Sequence, residues 1–191
     1  HSVDADNYRP GEPVRYKVPE KYLALYGGKA DEPNDRLRYF AVISAMEAIL
    51  PCLRKGNLVV LESTSPPRTT EDLVRPILER SGLKAGIDFH LCYSPERVLP
   101  GQILHELIEN ARVVGGVTPE SAQAGHRLYA TFVKGQIVET DATTAEMVKL
   151  MENTTRDVNI AIANEFSRLA EKFGVDVWEA ISLANRHPRI N

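Results

Sequence analysis

Four short apolar runs recur along the chain, each followed or preceded by a segment whose apolar residues fall at helical spacing. The runs are LVVLEST (58–64), FHLCYSP (89–95), ARVVGG (111–116) and QIVET (136–140). Each reads as a strand, and LVVLEST, a short apolar run with β-branched residues, as a buried one of the parallel type. Before the first, LRYFAVISAMEAILPCLRKG carries Phe40, Ile43, Met46, Ile49 and Leu50 at helical spacing, with Gly56 as its stop. TTEDLVRPILERSGL follows the first strand as a helix, capped by Thr69 or Thr70 and bent at Pro76. LHELIEN is a short helix, and TPESAQAGHRLYATFV is a longer one with Thr118 as cap and Pro119 in its first turn. Strand and helix in alternation imply an α/β fold, with a parallel sheet joined by right-handed crossovers.

At Asp141 the pattern changes. TTAEMVKLMENTTRDVNIAIANEFSRLAEKFG is one helical stretch of about 30 residues, or about 45 Å if unbroken. Thr143 and Glu146 have the spacing of a capping box, and Gly174 closes the helix. VDVWEAISLANRH is a second helix. The expected division is an irregular arm over 1–36, an α/β unit over 37–140 and a helical unit over 141–191.

Composition removes several classes. The net charge is −3 with both signs interspersed, which argues against a non-specific nucleic-acid binder. Cys52 and Cys92 stand in no metal-ligand spacing and read as reduced thiols of a cytoplasmic protein. No apolar run approaches the 18 or so residues of a membrane span, so no membrane partner is expected. Neither GxGxxG nor GxxxxGK[ST] occurs in the sequence.

Candidate site residues come from the strand ends and the long helix. In open α/β sheets ligands gather beyond the carboxyl ends of the strands. Glu62-Ser63-Thr64, Tyr93-Ser94-Pro95-Glu96-Arg97 and Gly115-Gly116 would all stand there, although Ser63 and Thr64 also suit turn capping and Glu96 an ion pair. Lys149, Asn153 and Arg156 lie at i, i+4 and i+7 and share one helix face. A Lys and an Asn one turn apart can stabilise negative charge developing on one oxygen. The competing reading is a solvated face in which Lys149 pairs with Glu146 or Glu152. His187, Pro188 and Arg189 form a polar corner where Arg189 can act as a forked phosphate donor or stand as a surface residue.

LVVLESTSPP, YSPERVLPG, RVVGG, TTAEMVKLMENTTRDVNIAIANE and ANRHPRIN, in this order over 37–191, resemble the UDP-glucose/GDP-mannose dehydrogenase family. PERVLPG and HPRIN lean towards its UDP-N-acetyl-mannosamine branch. The resemblance implies the C-terminal half of a Rossmann-like NAD-binding domain, then the start of a central helical dimerisation domain. It implies two successive NAD-dependent oxidations of a UDP-sugar at C6, through a Cys nucleophile. By position, Lys149 resembles the Lys that stabilises the oxyanion and Asn153 its partner. Thr64 resembles the Thr that holds the catalytic water and, with Ser63, borders the cofactor. Glu96 resembles the acid/base Glu, and Arg189 an Arg that reaches the substrate with His187 and Arg156 nearby. The family's GxGxxG turn and its Cys-bearing motif would precede and follow this stretch and are not in the sequence. Cys52 and Cys92 match neither, and Arg68 stands where SPPGTT would carry Gly. The resemblance therefore implies a portion of such an enzyme, without turnover by itself, forming a homodimer or larger oligomer. The other reading is a non-catalytic dimerising module that at most binds a nucleotide sugar.

Overall fold

A computed structural model describes residues 40–98 and 101–188. The 1–36 arm and Arg189 lie outside these described residues. Helix α1 runs from Phe40 to Ile49 and passes into a 3-10 turn, Leu50–Cys52. It ends earlier than its apolar spacing implies because Pro51 has no N–H to continue the ladder. Gly56, in the left-handed region at φ 80°, then turns the chain into β1, Leu58–Leu61. Next come a π turn, Thr70–Val74, and α2, Arg75–Glu79. Pro76 explains the wide turn: its ring would meet the Asp72 carbonyl in an α-helix, and the Arg75 N–H reaches back to the Thr70 carbonyl instead. Neither Thr69 nor Thr70 caps this helix: Thr69 Oγ1 donates to the Pro66 carbonyl and Thr70 Oγ1 to Glu146.

Strand β2 is His90–Tyr93, α3 Ile103–Glu109, β3 Arg112–Gly116, α4 Pro119–Tyr129 and β4 Ile137–Asp141. The strands form one sheet in the order β1-β2-β3-β4. β1 pairs parallel with β2 and β3 parallel with β4, but β2 and β3 are antiparallel, so the sheet is mixed where an all-parallel one is expected. The excursion between β2 and β3 explains this. Helix α3 has seven residues, none of them buried, and does not lie across a sheet face as a crossover must. The Asn110 side chain bonds back to the Arg97 carbonyl and the Arg97 guanidinium to the Ala111 carbonyl, so the chain re-enters at the end it left.

Both sheet faces are covered. Val59, Leu61, Leu91 and Tyr93 point to one side, into a core with Ile43, Met46, Val74, Ile77 and Leu78 from α1, the π turn and α2. Leu58, Val60, Cys92 and Val114 point to the other, against Tyr129 and Val133. That two-sided burial is why β1 reads as an unbroken apolar run, whereas β4 buries none of its residues. Thr118 caps α4 by accepting the Ser121 N–H, with Pro119 in its first turn.

β4 passes directly into α5, Ala142–Phe173, which Gly174 closes at φ 67°. The N-cap is Asp141, which accepts the Thr144 N–H at 2.8 Å and its hydroxyl at 2.6 Å. Thr143 and Glu146 form no capping box, because Glu146 is committed elsewhere. Ala142, Ala145 and Glu146 are the buried residues of α5. They seat its first turn on Gly115, where a Cβ would stand 2.4 Å from the Asp141 carbonyl and 2.7 Å from Ala145 Cβ. Asp176 then caps α6, Val177–Ala184.

Candidate functional site

The carboxyl ends of β1 and β2 open on the same end of the sheet, and the first three turns of α5 run past them. β1 delivers the turn Glu62–Thr70, in which Ser63 and Thr64 are exposed and the Ser65 hydroxyl bonds to the Ser63 carbonyl at 3.0 Å. Two prolines and the Thr69 contacts with Pro66 leave this turn little freedom. β2 delivers Ser94–Arg97, with Ser94 buried and Glu96 exposed. Gly115–Gly116 does not join them. With β3 antiparallel to β2, the glycines pair with Tyr93 and Cys92 and lead away from that end.

Each loop is tied to α5 by a separate contact. Glu146 is fully buried and holds the β1 turn. Its carboxylate accepts the Arg68 N–H at 2.5 Å on one oxygen, and the Thr70 N–H at 2.8 Å and hydroxyl at 2.7 Å on the other. Desolvation pushes this carboxyl above the usual range, against the pull of the three donors. One turn on, the Lys149 ammonium donates to the Glu96 carbonyl at 2.6 Å. Lys149 thus pairs with neither Glu146 nor Glu152. Glu152 takes the Arg97 guanidinium instead. Asn153 Oδ1 accepts from Arg156 at 3.0 Å. The stripe from Glu146 through Lys149 and Asn153 to Arg156 therefore faces the strand ends at its start and extends beyond them. His187 is exposed, three residues past the end of α6.

A second polar cluster closes the opposite side of the same end. The buried Arg112 guanidinium lies 4.2 Å over the Tyr129 ring and donates to Glu62 and to Ser94 Oγ, each at 3.3 Å. The Tyr129 hydroxyl donates to Glu62 at 2.5 Å, and burial is the main cause that raises its pKa. These contacts link the residue after β1 to the residue after β2. Spacing gives no hint of them, since Glu62 and Tyr129 are 67 positions apart. Cys92 is buried with its thiol pushed up to about 12, chiefly by desolvation, and packs as a small apolar residue. Among the described residues no His/Cys/Asp/Glu group is placed to hold a metal ion, and no helix is long and apolar enough to cross a membrane.

Chemically, this end of the sheet offers exposed hydroxyls at Ser63 and Thr64. It also offers an ammonium held by a carbonyl and a carboxamide one turn away. Such a set suits hydrogen bonds to a polar, anionic ligand and stabilisation of charge on an oxygen.

Known proteins carry the same pattern. Residues 143–191 match the model for the central domain of the UDP-glucose/GDP-mannose dehydrogenase family. UDP-N-acetyl-D-mannosamine dehydrogenase of Methanococcus aeolicus is 49% identical over 162 residues, covering 85% of this chain and 36% of that protein. NDP-N-acetyl-D-galactosaminuronic acid dehydrogenase of Ralstonia solanacearum is 52% identical over 189 residues, covering 95% of this chain and 43% of that protein. The chain thus spans well under half the length of these relatives. The solved structure of UDP-D-ManNAc dehydrogenase from Pyrococcus horikoshii superposes with a TM-score of 0.78 at 49% identity, covering 85% of this chain and 38% of that one. That fold is the Rossmann-like α/β arrangement expected. The model for the family's NAD binding domain matches residues 30–133, more than half of these 191 residues, and the chain belongs to the UDP-glucose/GDP-mannose dehydrogenase family.

Proposed function

We propose that this chain is a portion of an NAD-dependent nucleotide-sugar 6-dehydrogenase. The parent enzyme oxidises UDP-N-acetyl-mannosamine to its uronic acid, for polysaccharide synthesis in the cytoplasm. The observation that carries this reading is the position of Lys149. Its ammonium is fixed at the carboxyl end of β2 by the Glu96 carbonyl, with Asn153 on the next turn of the same face. An ammonium and a carboxamide so placed can stabilise an alkoxide or tetrahedral oxyanion at the oxidised carbon. Thr64, on the short turn after β1, holds a water for hydrolysis, and Glu96 handles its proton. Arg156, His187 and Arg189 bind the anionic sugar nucleotide, Arg189 through its forked guanidinium.

The exposed hydroxyls of Ser63 and Thr64 fit the edge of NAD at the end of β1, where open α/β sheets take nucleotides. Bound NAD supplies the hydride acceptor. The proposed division places NAD-binding elements up to about residue 140 and the helical dimerisation unit beyond.

Calorimetric titration with UDP-N-acetyl-mannosamine and, separately, with NAD tests the reading. Binding of the sugar nucleotide should weaken about tenfold in Lys149→Ala, the loss of one charge-assisted contact. Equal affinity in wild type and variant would remove Lys149 from the site. UDP-N-acetyl-galactosamine in parallel decides the sugar, because a relative is named for the galacto-configured N-acetyl-aminosugar acid.

A further inference from the structure

We infer that Glu146 is a positioning residue: its buried carboxylate clamps the β1 turn onto α5 and so sets where Thr64 stands relative to Lys149. The inference rests on the functional reading above for its consequence, but its geometry stands alone. Glu146, Lys149 and Asn153 lie at i, i+3 and i+7 and share one face of α5. The β1 turn reaches that face at Arg68 and Thr70, four and six residues after Thr64. Between them lie Pro66 and Pro67, and Thr69 bonds back to the Pro66 carbonyl through both its N–H and its hydroxyl. A segment so short and stiff transmits a displacement at Thr70 to Thr64.

The clamp is specific for a carboxylate. All three groups that meet Glu146 are donors: two backbone N–H groups and one hydroxyl. A glutamine would turn an NH₂ towards either Arg68 or Thr70, setting donor against donor in a buried place. The clamp also needs α5 to be seated. Ala142 and Ala145 pack on Gly115 with no room for a Cβ there, so the helix end cannot slide to follow the turn. Arg68 completes the picture. It takes the left-handed φ of 73°, unusual for a residue with a side chain, and its N–H thereby points to Glu146.

The test uses the whole chain, ¹⁵N-labelled, as wild type, Glu146→Gln and Thr70→Val. Thr70→Val removes one donor and keeps the buried shape, which covers the case in which Glu146→Gln does not fold. Two readouts are taken on folded samples: amide signals of Arg68, Thr70, Thr64 and Lys149, and calorimetric affinity for UDP-N-acetyl-mannosamine. Positioning predicts that in Glu146→Gln the Arg68 and Thr70 amides move upfield as they lose a charged acceptor. It also predicts that the Thr64 and Lys149 signals shift with them, and that affinity falls about tenfold in Glu146→Gln and less in Thr70→Val. Lower melting temperatures with Thr64 and Lys149 signals unmoved and affinity unchanged would overturn it, leaving Glu146 a residue of stability only. If the wild type binds no sugar nucleotide, the functional reading fails. The Thr64 and Lys149 signals then decide the clamp by themselves, shifted in its favour or unmoved against it.

Discussion

Two single residues show how the fold spends local strain and local charge. Arg68 sits at φ 73°, where an L side chain costs roughly 1–2 kcal/mol and glycine costs nothing. Its guanidinium forms a two-pronged pair with Asp72, but both side chains are exposed, and solvent screening leaves such a pair little stabilising effect. Replacing Arg68 by alanine keeps the strain and loses the pair. Replacing it by glycine loses the pair and relieves the strain. Arg68→Gly should therefore be more stable than Arg68→Ala by about 1 kcal/mol in urea unfolding, after the extra freedom of glycine in the unfolded chain is counted. Asp141 shows the charge side. The Thr144 hydroxyl and N–H hold its carboxyl below the usual range. A depressed folded value means that its contribution is present above the unfolded value of 3.8 and is lost as pH falls through the folded one. Asp141→Ala should lower stability by about 1 kcal/mol near neutrality, as loss of an N-cap does. The gap between wild type and variant in melting experiments should narrow as pH falls below 3.8.

At the scale of elements, β1 and α1 were legible because burial on both sheet faces leaves an unbroken apolar run and burial of one helix side leaves a helical period. Direction was not legible. Periodicity is the same whichever way a strand runs, so the antiparallel entry of β3 is visible only through α3, too short and too exposed to cross the sheet. The same limit explains the site. Lys149 and Asn153 declare themselves by their spacing on one helix, whereas the partners of Glu146 lie 76 and 78 positions away. The trace left in the sequence is a glutamate among apolar neighbours, in Ala145-Glu146-Met147-Val148, and it reads equally well as a capping box. The resemblance singled out Arg68 as the odd residue in its turn, and the backbone explains why glycine suits that place. The seat of α5 rests on a glycine too. Gly115→Ala would bring a Cβ to 2.4 Å from the Asp141 carbonyl, and backbone cannot rotate away as a side chain can. Overpacking of this kind costs about 1–3 kcal/mol, and here the β4–α5 junction must separate to absorb it. Urea unfolding of Gly115→Ala should show that loss, and the Lys149 contact with Glu96 should loosen, read as a moved Lys149 amide signal. An unchanged midpoint would mean that the junction yields freely.

For the whole molecule, α5 past its first turns is the feature that the rest of the described chain leaves uncovered. Met147, Met151, Val158, Ile162, Phe166, Leu169 and Phe173 recur at steps of three, four and seven residues, a stripe about 100° wide along one side. Each of them is exposed, Phe166 at 61% and Phe173 at 73%. The stripe lies roughly opposite the face that bears Lys149 and Asn153, so covering it leaves the proposed site open. An apolar stripe this long on a helix of 32 residues is the kind of face a second copy buries, as proposed for the helical unit. A twofold interface presents the same residue from both copies. Phe166→Asp therefore removes about 2 kcal/mol of burial twice over, raising the dimer dissociation constant about a thousandfold. Sedimentation equilibrium should find the wild type dimeric or larger and Phe166→Asp monomeric at the same concentration, with unchanged helical circular dichroism. A wild type that sediments as a monomer would remove the stripe from self-association, and the proposed site would then have to be complete within one copy.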